Sequence, residues 1–494
     1  MWTAAEPGRI DPHQETSVFP SQVFAPLYSG PLQWDDKDPS SQKQIADLAT
    51  AWDFSSDGLT LTLKLRNGVK FHNGDPFTAT DAKFSIERVM SPPKGVVSPW
   101  MSLWDGVSSV GAPDAQTVVI KMAKPKPLLL QLLAWPYTAM VEKKQLETDV
   151  HAIEARSNGT GPFRFKEWRK GVSIEVERNP DYYEKGVPYM DGIKWLVVPD
   201  ASTQFAAFRT GQLIMTGFGT RGLSVTEVRT LKKEMPDALT WQYDCGCSGR
   251  LLLNVKKAPL SDKRVRQAMM KVIDVQKVMD LAYQGVGRKG GFIAPGFWSL
   301  SDEELNRIYP PFRGPTDKDI EDAKKLLADA GFPNGLTITY TQATLAGYEE
   351  QQIASTSQLK KIGVNVNVKV LQWPAAMTAA VQRADFEIVD WPTLGTIYDP
   401  DIYFSPFVTN NFQNYAKYSN PQVDKLFEQQ SRELDPLKRK PLVNQLERII
   451  IDEVPAIQHV HRQYLHAARP IVRNYAGPGT LYSNLKWAHV WLAR

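Results

Sequence analysis

The chain has 494 residues, 42% hydrophobic and 23% charged, a length and balance that suit roughly two to four domains, each able to bury its own core without covalent staples. Its net charge of +4, with Lys and Arg dispersed among Asp and Glu, leaves no electrostatic footprint for nucleic acid, and no run nears the ~18 apolar residues of a membrane span. The two cysteines, Cys245 and Cys247, cannot fill a four-ligand metal shell, and a bridge two residues apart along a strand is strained, so buried thiols are expected, with a disulfide as the alternative.

Residues 9–34 hold an Asp11-Pro12 turn, an apolar helix carrying Val23, Phe24 and Leu27, and an exit at Gly30-Pro31. Leu59, Leu61, Leu63 and Leu65 then alternate with Thr60, Thr62, Lys64 and Arg66, the pattern of a strand with one dry face. Asp57-Gly58 before it and Asn67-Gly68 after it favour tight turns, and Val69 and Phe71 keep the same parity, which predicts a β-meander. Pro76 ends the meander, and Thr78 with Asp81 forms a capping box for a helix that turns Ala82, Ile86 and Val89 inward.

From Trp52 to Ser85 the wording is W-x-x-S-x-D-G-x-T-x-T-x-x-L-R-x-G-V-K-F-H-x-G-D-P-F-x-A-x-D-A-x-F-S, which closely resembles the signature of the extracytoplasmic solute-binding proteins that feed peptide and nickel ABC importers. The stretch from Gly159 to Tyr183 is a second match, and residues 254–274 and 418–461 supply others. The resemblance implies an α/β, two-lobed fold of the periplasmic-binding-protein type II, with an extra subdomain in the first lobe and the ligand in the interlobe cleft. It also implies binding without catalysis or cofactor, an extracytoplasmic location, and the permease subunits of an ABC importer as partners of a monomeric receptor. The start MWTAAEPGRIDPH lacks a basic and apolar leader, and the implied export leads to the expectation that Met1 stands in place of a removed signal peptide.

Further along, SPPKGVVSPWMSLWDGV is a proline-broken loop whose Trp100 could stack on a ligand or cap a small core. Strand-like TVVIKM follows, then a helix with Leu128, Leu129, Leu132 and Leu133; Asn158-Gly159-Thr160 fits a glycosylation sequon but reads as a turn. Two strands joined by Arg169-Lys170-Gly171 come next, then a strand at 193–198, a helix with Phe205 and Phe208, and a strand at 213–217, an order that favours a parallel crossover. YDCGCSGRLLLNV is an apolar strand leading into a helix capped by Ser261, with Val265, Ala268, Met269 and Val272 on one face. Gly285, Gly287 and Gly290 spell G-x-G-x-x-G but follow a helix, so a plain glycine loop is expected rather than a phosphate cradle.

Thr316 and Asp319 cap another helix, and a strand from Leu336, a helix over 346–361 and a strand over 364–370 form a βαβ unit, hence a second sheet. A strand over 385–391 and helices from Pro421 and Leu437 follow. His459 and His461 could ligate metal as an H-x-H pair, yet no acidic or cysteine partner lies nearby in sequence, which favours structural or hydrogen-bonding roles.

By resemblance the first lobe comprises residues 1–34, 163–254 and 464–494, the inserted subdomain 35–162, and the second lobe 255–463, with two crossings acting as a hinge. The residues after the Asp11-Pro12-His13 turn line the cleft in this family, which carries over to Glu15, Thr16, Ser17 and Val18. Ser248 and Arg250 then lie near the hinge, where a guanidinium could hold a ligand carboxylate bidentately, and Trp391, Thr393, Tyr398 and Asp399 are second-lobe candidates. In the peptide-binding members an aspartate in a W-x-A-D-Y-x-D-P-like segment captures the ligand's ammonium, whereas WPTLGTIYDPD places Thr393, Leu394 and Gly395 there. Burying an ammonium without a counter-charge costs several kcal/mol, which predicts a ligand without a free α-amine, such as an organic or aromatic acid or a sugar derivative. The alternatives are an oligopeptide or dipeptide ligand, or a sensory or chaperone-like binding role. No G-x-S-x-G, H-E-x-x-H or P-loop is present to suggest an enzyme.

Overall fold

The computed structural model describes the chain apart from residues 1, 4–5, 16–19, 36, 39–42, 218–221, 345–346, 395–396, 478, 480–484 and 494; for 2–3, 381–382 and 393–394 it describes the backbone alone. The chain divides into two compact units, Met1–Tyr243 with Tyr464–Arg494, and Asp244–Gln463.

In the first unit the leucine alternation builds strand Thr60–Leu65, whose Leu61 and Leu63 are fully buried. It pairs antiparallel with Ala49–Phe54 on one side and Thr117–Met122 on the other, and Val107–Asp114 completes a separate four-stranded sheet. The predicted third meander strand does not form: Val69 and Phe71 are buried as their parity requires, but Lys70 makes only an isolated bridge to Pro76, because the sheet edge is taken by residues 117–122. Helix Ala79–Met90 starts at the reciprocal Thr78 and Asp81 box and buries Ala82, Ile86 and Val89. Its Arg88 reaches Asp11 through two hydrogen bonds of 3.1 and 2.7 Å, so the Asp11-Pro12 turn is fixed by a buried ion pair.

A second sheet in this unit runs Trp2–Thr3, Gly192–Val197, Ser173–Arg178, Phe163–Arg169, with Gly171 at φ +71 in the turn between the last two. The parallel crossover expected after residue 197 is absent. Helix Ala201–Arg209 is present, but residues 213–217 supply only an antiparallel bridge from Met215 to Ala468, since the return segment lies beside them. Asn158 of the sequon is buried and donates to Glu142 at 2.6 Å, a structural turn.

The second unit is built on a six-stranded sheet ordered Gly287–Arg288, Ala456–Ala468, Leu239–Leu253, Ile388–Leu394, Leu336–Ala343, Val364–Leu371. Leu336–Ala343 and Val364–Leu371 are parallel, with helix Tyr348–Leu359 between them in sequence, as the βαβ pattern requires. The helix after the long strand, Lys263–Val272, is capped by Asp262, one residue beyond the predicted Ser261, because the Asp262 carboxylate accepts from the Arg264 N–H. Thr316 and Asp319 box the start of Asp317–Asp329, and Asn420 and Asp435 cap Pro421–Gln430 and Pro436–Glu453. Leu251, Leu253, Met269, Ile338, Ile388, Ile450 and Ile457 belong to one continuous apolar core.

Cys245 and Cys247 are joined as a disulfide, which corrects the expectation of free thiols. Gly246 between them has φ +65, so the chain leaves the extended form at that point and the two cysteines turn toward each other, with Cα atoms 5.2 Å apart.

Candidate functional site

Within the second unit, strands Leu239–Leu253 and Ile388–Leu394 are antiparallel in a register that opposes Ser248 to Thr393 and Arg250 to Trp391. Four sequence-predicted residues thus meet as two cross-strand pairs although about 140 residues separate them in sequence. The Ser248 hydroxyl is buried and has no hydrogen-bond partner among the described residues. It lines a small cavity of about 10 Å³, room for roughly one water molecule, whose wall also includes Asp244, Gly246, Cys247, Ala294, Tyr398, Tyr403, His461 and Arg462.

Asp244 anchors one side of this cavity. It accepts from Arg288 Nη1 at 2.9 Å and from Gln463 Nε2 at 2.8 Å, and together with burial it pushes the Tyr398 phenol well above its ordinary pKa. Tyr398 therefore remains a neutral donor in the wall. His461 donates or accepts through Nε2 at the Gly291 carbonyl, 2.9 Å away, and burial holds its pKa down to about 4.

Arg250 lies two residues beyond Ser248 along the same strand and is 2% exposed. Its guanidinium sits 5.6 and 5.4 Å from the ring centres of Phe292 and Phe407, and Nε and Nη2 have no hydrogen-bond partner among the described residues. Burial lowers its pKa to about 10, which still leaves it charged at neutral pH.

The opposite face of the same strands carries a polar layer under helix Tyr348–Leu359. A Cβ on Gly249 would meet Gln351 Oε1 at 2.5 Å, and that oxygen already contacts His459 Nδ1 at 3.2 Å. Asp390, opposed to Leu251, is buried there, and desolvation raises its carboxyl pKa to about 8, with the Tyr340 hydroxyl acting in the other direction. His459 and His461 thus turn to separate partners, Gln351 and Gly291, and among the described residues no group of three His, Cys, Asp or Glu is placed to hold a metal.

The other second-unit candidates are fixed by packing. Trp391 meets Trp373 and Tyr415 at ring separations of 5.7 and 4.9 Å. Asp399 caps helix Pro400–Phe404, and both its oxygens accept from Arg439 at 2.7 Å. The backbone of Thr393 is described; its side chain is not.

In the first unit, Trp100 is half-buried against Trp135 and Tyr137, with ring separations of 4.6 and 5.1 Å, and its Nε1 donates to the Glu15 carbonyl at 3.2 Å. This ties the tryptophan loop to the N-terminal loop on which Thr16, Ser17 and Val18 follow; those three lie outside the described residues.

Sequence reasoning passed over Asp244, Arg288, Tyr403, Phe292 and Phe407. Each comes from a different segment with an ordinary local role, and only the sheet register and the loop after Gly290 bring them to Ser248 and Arg250. The one available signal was Asp244, a charge inside an otherwise apolar strand.

The model of the family "Bacterial extracellular solute-binding proteins, family 5 Middle" matches residues 43–415 of the 494. The chain is 27% identical to the glutathione-binding protein GsiB of Pectobacterium atrosepticum, over 96% of this chain and 90% of that protein. It is 25% identical to the dipeptide-binding protein DppE of Bacillus subtilis, over 89% and 83%. Among solved structures, the periplasmic binding protein DppA of Helicobacter pylori, in complex with the peptide STSA, superposes with a TM-score of 0.77 at 24% identity, covering 99% of this chain and 97% of that one, and so shares its fold.

The relatives named for dipeptide and glutathione binding overturn the expectation of a ligand without a free α-amine. That expectation rested on one short segment, 391–401, whereas a counter-charge for an ammonium can come from any part of a folded chain. The fold is the two-lobed α/β arrangement with an extra β-sheet subdomain that the resemblance implied. Proteins of this kind are extracytoplasmic, non-catalytic carriers that work with ABC permease components. With the larger part of its length inside the match, the chain belongs to the bacterial extracellular solute-binding proteins of family 5.

Proposed function

We propose that this protein captures short peptides outside the cytoplasm and delivers them, as a monomer, to the permease subunits of an ABC importer. The observation that carries the reading is the alignment over most of the chain with a glutathione-binding and a dipeptide-binding relative. The second unit supports it with the Ser248 hydroxyl and the Arg250 guanidinium, buried polar groups on one strand that have polar atoms without a partner among the described residues, of the kind that orient a ligand within an apolar surround. Trp100 and the loop it holds at Glu15 are the first-unit residues proposed to contact the solute, and Trp391 and Thr393 complete the second-unit set.

Calorimetric titration of the whole chain with glutathione and with the peptide STSA tests the reading. One-to-one binding in the micromolar range or tighter, with each peptide recovered intact, is the expected result. Absence of heat and of retained peptide across a library of dipeptides to tetrapeptides would overturn it.

A further inference from the structure

Most disulfides tie one element to another, and the longer the chain they enclose, the more they restrict the unfolded state. The bridge between Cys245 and Cys247 does neither: it encloses Gly246 alone, and both ends lie on the strand Leu239–Leu253. As a staple it contributes little. What it fixes is the local path of that strand. Two residues of extended chain advance about 6.7 Å, whereas the Cα atoms of Cys245 and Cys247 are 5.2 Å apart, with Gly246 at φ +65.

The shortened segment stands between two anchored ends. On one side Asp244 is held by Arg288 and Gln463 at 2.9 and 2.8 Å. On the other, pairing with Ile388–Leu394 starts at Cys247 and runs without a break to Leu253. Gly246, Cys247 and Ser248 all line the small cavity to which Tyr398 and Tyr403 also contribute. Opening the bridge lets the segment lengthen by roughly 1.5 Å, and with both ends pinned that length goes into the cavity wall next to Ser248.

The two sulfurs are not equivalent. Cys245 is fully buried and Cys247 half-buried, and the Cys247 backbone N–H donates to Cys245 Sγ at 3.2 Å. An incoming thiolate therefore meets Cys247 Sγ, and the sulfur it displaces already accepts a hydrogen bond, which favours it as the leaving thiolate.

We infer that Cys245 and Cys247 form a thiol-reactive modification site whose substrates are small dithiols, and that its opening loosens the wall around Ser248 and weakens solute binding. In the first step a thiolate of the dithiol bonds to Cys247 Sγ as the bond between the cysteines breaks, and Cys245 leaves as a thiolate that takes up a proton. The second thiol of the reagent then displaces Cys247, which also ends as a thiol. The protein gains two electrons and two protons, and the reagent becomes a cyclic disulfide. The effect on binding rests on the peptide reading above; the site itself does not.

Dithiothreitol is the probe, applied to the folded whole chain without denaturant and followed by iodoacetamide. Mass spectrometry is expected to find both cysteines alkylated after dithiothreitol and neither without it. In the reduced, unalkylated chain hydrogen exchange should quicken at residues 244–248, and calorimetry with the thiol-free peptide STSA should show binding weakened about three- to tenfold, the scale of one displaced hydrogen bond. Circular dichroism should stay unchanged, and reoxidation should restore both exchange and affinity. The double variant Cys245→Ser with Cys247→Ser should match the reduced chain and ignore dithiothreitol; if it does not fold, the reduced unaltered chain carries the comparison. Cysteines that resist dithiothreitol until the chain is denatured would overturn the site, and alkylation with unchanged exchange and affinity would overturn its hold on the wall. If STSA fails to bind the oxidised chain, the peptide reading falls, and labelling and exchange decide this inference alone.

Discussion

Arg439 holds Asp399 through two parallel 2.7 Å hydrogen bonds, with both side chains almost wholly buried. The Asp399 carboxylate, a ligand-contact candidate by sequence, is committed to fixing the start of helix Pro400–Phe404, which carries Tyr403 into the cavity wall. Breaking a buried pair from one side leaves an uncompensated charge. Asp399→Asn is therefore expected to lower unfolding free energy by about 3 kcal/mol in urea titration. Replacing both partners at once, as Asp399→Leu with Arg439→Met, should cost less than either single change.

How much of this was legible beforehand depended on the range over which each feature is decided. The Thr78–Asp81 and Thr316–Asp319 boxes, the leucine strand and the βαβ unit are set by residues within a few positions of one another, and all appear where the sequence placed them. The third meander strand failed because a strand more than forty residues away claimed the sheet edge. The disulfide stood only as the alternative to free thiols because Gly246 takes a positive φ inside what reads as a continuous strand. At the site, Ser248 and Arg250 could be singled out from their own segment, but the packing of Arg250 against Phe292 and Phe407 is set by segments far away in sequence. No local pattern encodes that.

Gly159 tests the close approach between the sequon turn and the short helix near residue 25. A Cβ there would fall 2.1 Å from the Leu27 carbonyl oxygen and 2.7 Å from the Tyr28 ring, and a backbone atom cannot swing aside. Gly159→Ala is expected to destabilise the first unit by about 2 kcal/mol, within the range for overpacking a filled interior. Differential scanning calorimetry should register a lowered transition, and an unchanged one would refute the packing argument.

Asp390 makes stability fall toward alkaline pH. Burial raises its carboxyl pKa from 3.8 to about 8, so across that interval the native chain retains a proton that the unfolded chain has released. The contribution is complete below pH 3.8 and is lost progressively as pH rises through about 8. Asp390→Asn keeps the shape without titrating. The urea midpoint of the unaltered chain is expected to drop between pH 6 and 9 relative to this variant, and parallel profiles would show that Asp390 is ionised throughout.

His459 acts with the opposite sign at the acid end. It is fully buried, and desolvation takes its pKa from 6.5 down to about 3, so between those values the unfolded chain binds a proton that the native chain excludes. Its neutral ring contacts Gln351, and its contribution is complete above pH 6.5 and disappears as pH falls toward 3. His459→Gln removes the titration while keeping a polar side chain near Gln351. The variant starts less stable at pH 7 because the ring's packing is lost, yet from pH 6.5 to pH 4 its urea midpoint should decline less steeply than that of the unaltered chain. The two curves therefore converge on acidification, and curves that instead run parallel would mean that His459 takes up its proton in the folded protein at the ordinary pH.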